Sequence, residues 1–419
     1  MMTSGARAIA RSVTAVAAVV GYVALHTAIT AAADLRAGER VRYASVLRWS
    51  VPALLLLLPA LWLRRRRRAG MVQTAALVSR FAPERAWWYR PVFLALSGVG
   101  CLLFAGGFLA ASTARQAQHP PSPPLALLLL ATGLAAMGAG VLLLRHARPR
   151  AARSAARALL ADGRAPVLYL RSFADDAASA RPDDSRAYVR LHTREEEFAA
   201  ALGALGPVIA VGRPGEQLPL LGAARFYLPL DDWQPTVLRL MAASRLIVLR
   251  LGAGDGLWWE VEQAVATQPA RKLVLLAEGD LTELARRLDR HLPVPSGLAG
   301  AAGRAPRAVV VVGFGDDWAP RACPVGPAAA AGLPPAGRVR RAARTARSVL
   351  AEAMLPTPTQ HLALAVATVL GHGSVRRRAM GWRTVVATME SWLKGFGLLL
   401  VLGLAAWPAV RVFQVFGPG

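Results

Sequence analysis

The residues best suited to chemistry are two carboxylates in an indole-rich stretch: Trp258, Trp259, Glu260 and Glu262 follow the glycine run Gly252, Gly254 and Gly256. A glutamate shielded from water beside indole rings is pushed toward its protonated form, and the rings can stack on a flat ligand. On a helix, Glu260 and Glu262 point about 200° apart, so at most one of them enters a given crevice. Glu260 is expected in the first helical turn, where the macrodipole stabilises an acid whatever its role. The glycines leave backbone N–H groups open, which suits a phosphate, although neither GxGxxG nor GxxxxGK[ST] occurs. An ordinary strand-to-helix turn accounts for them equally. A second group is Ser172, Phe173, Asp175 and Asp176, with Arg171 and Arg213 nearby. The acid pair could hold a ribose hydroxyl or a ligand amide, or simply shape a turn, and the arginines could meet a phosphate. Cys101 lies in an apolar stretch and Cys323 in a polar one, so no disulfide joins them, and no Cys/His cluster predicts a metal.

These residues must be positioned by the elements around them. Short β-rich runs at 167–171, 208–211, 246–251, 273–277 and 308–313 alternate with helical stretches at 194–204, 232–243, 257–267 and 280–290. That alternation predicts an α/β domain: a flavodoxin-like, five-stranded parallel sheet in the order 2-1-3-4-5, doubly wound by helices. Ligands of such sheets bind outside the carboxyl ends of the strands, where the order reverses between strands 1 and 3. That rule gathers Ser172, Arg213, Gly254 and the Trp258–Glu262 stretch at one crevice.

The remainder of the chain is apolar, and the mean hydropathy of all 419 residues is +0.37. Stretches at 13–33, 46–63, 91–112, 123–144 and 395–415 approach the ~20 residues needed to cross a bilayer, which predicts an α-helical transmembrane bundle. The first could instead be a cleaved signal peptide. Lys and Arg outnumber Asp and Glu by 50 to 25. Much of the excess lies beside the apolar stretches, at 64–68, 145–157 and 376–378, which orients the protein with its main domain in the cytoplasm and suits anionic headgroups. Aromatic residues do not interleave with the basic runs as single-stranded nucleic acid would require, so no nucleic acid is expected. No Asp, Glu or Lys sits at mid-depth, which argues against an ion pathway. Gly133, Gly138 and Gly140 would let helices, or copies of the protein, pack closely. The organisation read from the sequence is a membrane region over 1–150, the α/β domain over 160–318, a linker with basic and interfacial helices over 319–392, and a final span over 393–419.

The stretch from Val167 through Arg171, Ser172, Phe173, Asp175 and Asp176 resembles the first box of Toll/interleukin receptor (TIR) domains, a strand running into a serine, an aromatic and an acid. Val211 to Gly215 is similar to the loop after that family's second strand. Ala243 to Leu251, followed by Trp258 and the acids, is similar to its serine-led strand with tryptophan and glutamate. The resemblance implies nucleotide binding and, in catalytic members, hydrolysis of NAD at its N-glycosidic bond in bacterial signalling or defence. No other cofactor is implied. The family's spacing of four residues after the tryptophan selects Glu262. The Trp259–Glu260 pair instead resembles nucleoside deoxyribosyltransferase-like proteins and selects Glu260. Many such domains bind partners without catalysis, so a membrane-tethered, non-catalytic interaction scaffold is the alternative.

Overall fold

The computed structural model describes residues 4–36, 43–82, 86–116, 122–172, 193–212, 222–229, 231–304, 309–325, 358–373, 377–380 and 383. Long helices come first: α1 (Ser4–Arg36), α2 (Tyr43–Ala69), the short α3 (Val72–Ser79), α4 (Tyr89–Gln116) and α5 (Pro123–Arg150). Three of them, over Tyr43–Leu63, Tyr89–Ser112 and Pro123–Arg150, are apolar and long enough to cross a membrane. Their leucines stand outward, among them Leu55, Leu58, Leu109, Leu127 and Leu142. Outward leucines at this density suit lipid rather than water. The expected first span falls within α1, whose apolar stretch Val19–Ala32 is shorter. The stretch at 395–415 lies outside the described residues.

Helices α4 and α5 form a close hairpin through glycines spaced seven apart, Gly100 and Gly107 against Gly140 and Gly133. A Cβ on Gly107 would lie 2.5 Å from the Gly133 carbonyl oxygen, and one on Gly140 would lie 2.7 Å from that of Gly100. Small residues at such a crossing let two backbones meet, the packing that replaces hydrophobic driving force in lipid. Gly138 takes no part, because a Cβ there would meet nothing within 4 Å.

Beyond α6 (Ala155–Asp162) the chain builds the α/β layer from β1 (Val167–Arg171), α7 (Arg194–Leu202), β2 (Val208–Gly212), β3 (Ala224–Tyr227), α8 (Gln234–Ala243), β4 (Leu246–Arg250), α9 (Asp255–Thr267), β5 (Leu273–Ala277), α10 (Leu281–Leu288), α11 (Leu298–Arg304), β6 (Val310–Phe314), β7 (Pro320–Pro324) and α12 (Pro358–Val369). Among the described residues the sheet has seven strands in the order β3-β2-β1-β4-β5-β6-β7. This corrects the flavodoxin-like five-stranded parallel sheet expected from the sequence. The five expected strands keep their order relative to one another, but β3 and β7 extend the two edges. β6 also runs antiparallel to both of its neighbours, β5 and β7, while β3, β2, β1, β4 and β5 are parallel. The reversal at β6 has a simple cause: two helices, α10 and α11, separate it from β5, so the chain returns from the opposite end.

Alternate residues along the strands feed two cores, as the two-residue period of a strand requires. Leu168, Leu170, Ile209, Ile247, Leu249 and Leu275 face α3, α6, α8, α9, α10 and α11. Val167, Tyr169, Ala210, Val248, Val274 and Val311 face α7 and α12. The domain therefore reaches beyond the expected boundaries of 160–318 on both sides. On one side α3 buries Ala75 and Val78 in the first core, and Tyr227 donates a backbone hydrogen bond to Phe81. On the other side α12 buries Ala363 to Ala367 against the sheet, so this part of 359–392 is a packed helix rather than an interfacial one. Of the expected linker and basic and interfacial helices over 319–392, Pro320–Pro324 forms β7, and residues 326–357 lie outside the described residues.

Replacing Gly107 or Gly133 with isoleucine is expected to push α4 and α5 apart and to cost about 1–3 kcal/mol. Thermal unfolding in detergent should fall for either variant and stay unchanged for Gly138→Ile.

Candidate functional site

A cleft of about 150 Å³ opens at the carboxyl ends of the parallel strands, where the strand order reverses between β1 and β4. Arg171 and Ser172 come from the end of β1, Val211 and Gly212 from β2, Leu228 and Trp233 from the connection after β3, and Gly254, Leu257 and Glu260 from the start of α9. The helix begins at Asp255, two residues earlier than expected, which puts Glu260 in its second turn. The proposed contribution of a first-turn macrodipole to Glu260 is thereby withdrawn, since that effect fades within one turn. Gly256, Leu257 and Glu260 share one helical face, three and four residues apart, and this face lines the cleft.

Glu260 is 8% exposed, and its carboxylate has no hydrogen-bond or ion-pair partner among the described residues. Burial pushes its pKa up to about 8, so the group is protonated at neutral pH. Glu262 lies on the exposed face of α9, away from the cleft. Gly254 sits close to the end of β1: a Cβ there would lie 2.8 Å from the Ser172 hydroxyl oxygen.

The two tryptophans separate. Trp258 does not line the cleft, a correction to its expected place there. It is buried on the side of α9 facing α10, with Arg287 4.5 Å over its ring, His291 stacked at 6.0 Å, and its Nε1 donating to the Gly252 carbonyl at 2.9 Å. Trp259 packs edge-on against Trp233 at 4.8 Å, and it is Trp233 that faces the cleft. Trp233 went unnoticed because β3, which carries the chain to it, is only four residues long and contains Arg225. The signal available was the Asp231-Asp232-Trp233 run ahead of Pro235, a helix start. Phe173, Asp175, Asp176 and Arg213 lie outside the described residues.

Beneath the cleft, Arg171 is held by a buried carboxylate that sequence reasoning also missed. Glu195 Oε2 lies 3.0 Å from Arg171, and Glu195 Oε1 lies 3.1 Å from Arg225 on β3, with all three side chains almost wholly buried. Gly222, at φ +131°, allows the approach, because a Cβ there would come within 2.8 Å of the Glu195 side chain. The next residue, Glu196, closes a capping box with Thr193 and pairs with Arg148 at the end of α5. Three consecutive glutamates in a chain with twice as many basic as acidic residues were the available clue.

Two expectations follow. Glu195→Ala removes the carboxylate that pairs with two buried guanidinium groups and should cost about 3–5 kcal/mol, measured by chemical denaturation. Glu260 releases its proton near pH 4.5 when unfolded but near pH 8 when folded, so its contribution to stability falls as pH rises through that window and levels off above it. The full loss is on the order of 5 kcal/mol. Glu260→Gln should flatten the decline of unfolding temperature between those pH values and be the more stable protein at pH 9; parallel profiles would mean that Glu260 is solvated. No family model matches this chain, and neither a curated protein nor a solved structure matches it.

Proposed function

We propose that the protein is a multi-pass membrane protein whose α/β domain faces the cytoplasm, binds a nucleotide in the cleft at β1 and β4, and hydrolyses the N-glycosidic bond of NAD. The observation that carries this reading is Glu260, a buried carboxyl without a protein partner among the described residues that opens into the cleft at the sheet's reversal point. A carboxyl in that setting can orient ribose hydroxyls, and in ionised form it stabilises the oxocarbenium-like centre left as the base departs. Arg171 and the open end of α9 supply positive potential for phosphate. Trp233 offers a ring face or edge to a flat base.

The charge on the substrate matters. A nicotinamide ring attached to ribose is cationic, and a cation beside Glu260 favours its carboxylate form. Binding therefore expels the proton that the empty cleft retains at neutral pH. Water then completes hydrolysis, adding OH to the ribose carbon while its remaining proton passes to solvent and neutral nicotinamide leaves.

The topology has its own support. Helices α3 and α6, which flank the α4–α5 hairpin in sequence, bury residues in one core, so both ends of that hairpin lie on the domain's side. With the arginines at 64–68 and 145–150, that side reads as cytoplasmic. A non-catalytic scaffold is the less favoured reading, because Trp258, which could have plugged the cleft, is turned away from it.

The test is nicotinamide release from NAD by the full-length protein in detergent at high protein concentration. Activity should vanish in Glu260→Gln and persist in Glu262→Gln. Affinity for NAD should rise by up to ~10-fold per pH unit below pH 8 and level off above it. No release, together with no thermal shift by NAD or another nucleotide, would overturn the enzyme and leave the scaffold.

A further inference from the structure

A second cavity, of about 90 Å³, lies where the α4–α5 hairpin meets the α/β domain. Its lining includes five arginines: Arg90 at the start of α4, Arg150 at the end of α5, Arg153 in the connection that follows, Arg157 in the first turn of α6, and Arg225 on β3. No Asp or Glu is among the described residues that line it. Arg153 and Arg157 are exposed and lie within electrostatic reach of Arg90, while Arg225 leans on Glu195 from behind. Like charges brought together in this way repel one another unless an anion lies between them. Ser154, at the N-cap of α6, also lines the cavity and makes no side-chain cap, so the dipole at that helix start adds to the positive potential.

The position of the cavity limits what fills it. Tyr89 and Arg150 mark the ends of the two apolar segments, and the exposed Trp87 and Trp88 stand beside them as interfacial aromatics do. The cavity is thus level with the phosphates of a bilayer that covers α4 and α5. We propose that it binds a phosphate-bearing anion, supplied by the headgroup of an acidic phospholipid. Guanidinium forks match phosphate oxygens two at a time, which gives such a site geometric selectivity beyond bulk attraction to a charged surface. This inference does not depend on the reading of the Glu260 cleft.

The test uses the full-length protein in a neutral detergent, with dioctanoyl phosphatidylglycerol, dioctanoyl phosphatidylcholine and inorganic phosphate as separate probes. Thermal unfolding and native mass spectrometry serve as the readouts. Phosphatidylglycerol should raise the unfolding temperature saturably and remain bound, while phosphatidylcholine should not. Arg153→Gln/Arg157→Gln, both exposed positions, should unfold no earlier than the parent without lipid and bind phosphatidylglycerol at least tenfold more weakly. An equal, saturable and variant-sensitive shift with inorganic phosphate would support the anion site while making its source soluble. The proposal is overturned if no probe gives a saturable shift, if phosphatidylcholine matches phosphatidylglycerol, or if the double variant responds as the parent does.

Discussion

Two adjacent carboxylates at the start of α7 hold together parts of the protein that come from distant stretches of chain. Glu195 is clasped by Arg171 and Arg225, and Glu196 by Arg148 from the long apolar helix α5. The helix start favours acids there, so one turn of α7 fixes β1, β3 and α5 in register with one another. Burying this much charge is costly in isolation, and replacing ion pairs with apolar groups is often no less stable. What the arrangement supplies is position. It sets the end of β1, where the cleft begins, and the side of β3, where the arginine-lined cavity begins, on the two sides of a single carboxylate.

Glu260 illustrates the opposite use of burial. Its charge has no partner among the described residues, and the low-polarity face formed with Leu257 keeps it protonated. Two buried glutamates therefore differ by environment: Glu195 is clasped between two guanidinium groups, and Glu260 is neutral and open to whatever enters the cleft. Such a division commonly separates a structural acid from a working one.

The sequence made the apolar helices legible because length and composition alone decide them. The five central strands were legible because runs such as Leu246–Arg250 and Leu273–Ala277 are short, β-rich and bounded by turns. The edge strands were not: Ala224–Tyr227 is too brief to show a period, and Pro320–Pro324 begins and ends with proline. In the cleft, the alternation of Glu260 and Glu262 across α9 could be read from helical geometry, but not which of them faced inward. That depended on the helix beginning at Asp255 and on Arg287 and His291 drawing Trp258 to the other side. The clasp around Glu195 was hidden for another reason. Its partners lie 24 and 30 positions away along the chain, and no local pattern records them.

The placement of α3 bears on how the protein is made. Ala75 and Val78, which lie between two apolar helices, share one core with strands that begin at Val167. The α4–α5 hairpin is synthesised between those two contributions, and α12 follows only after the last strand. The domain thus cannot close its core until the hairpin has been laid down and the chain has come back, which ties completion of the core to synthesis of the apolar hairpin. A fragment cut at 160–318 would be born with two open seams, one left by α3 and one by α12.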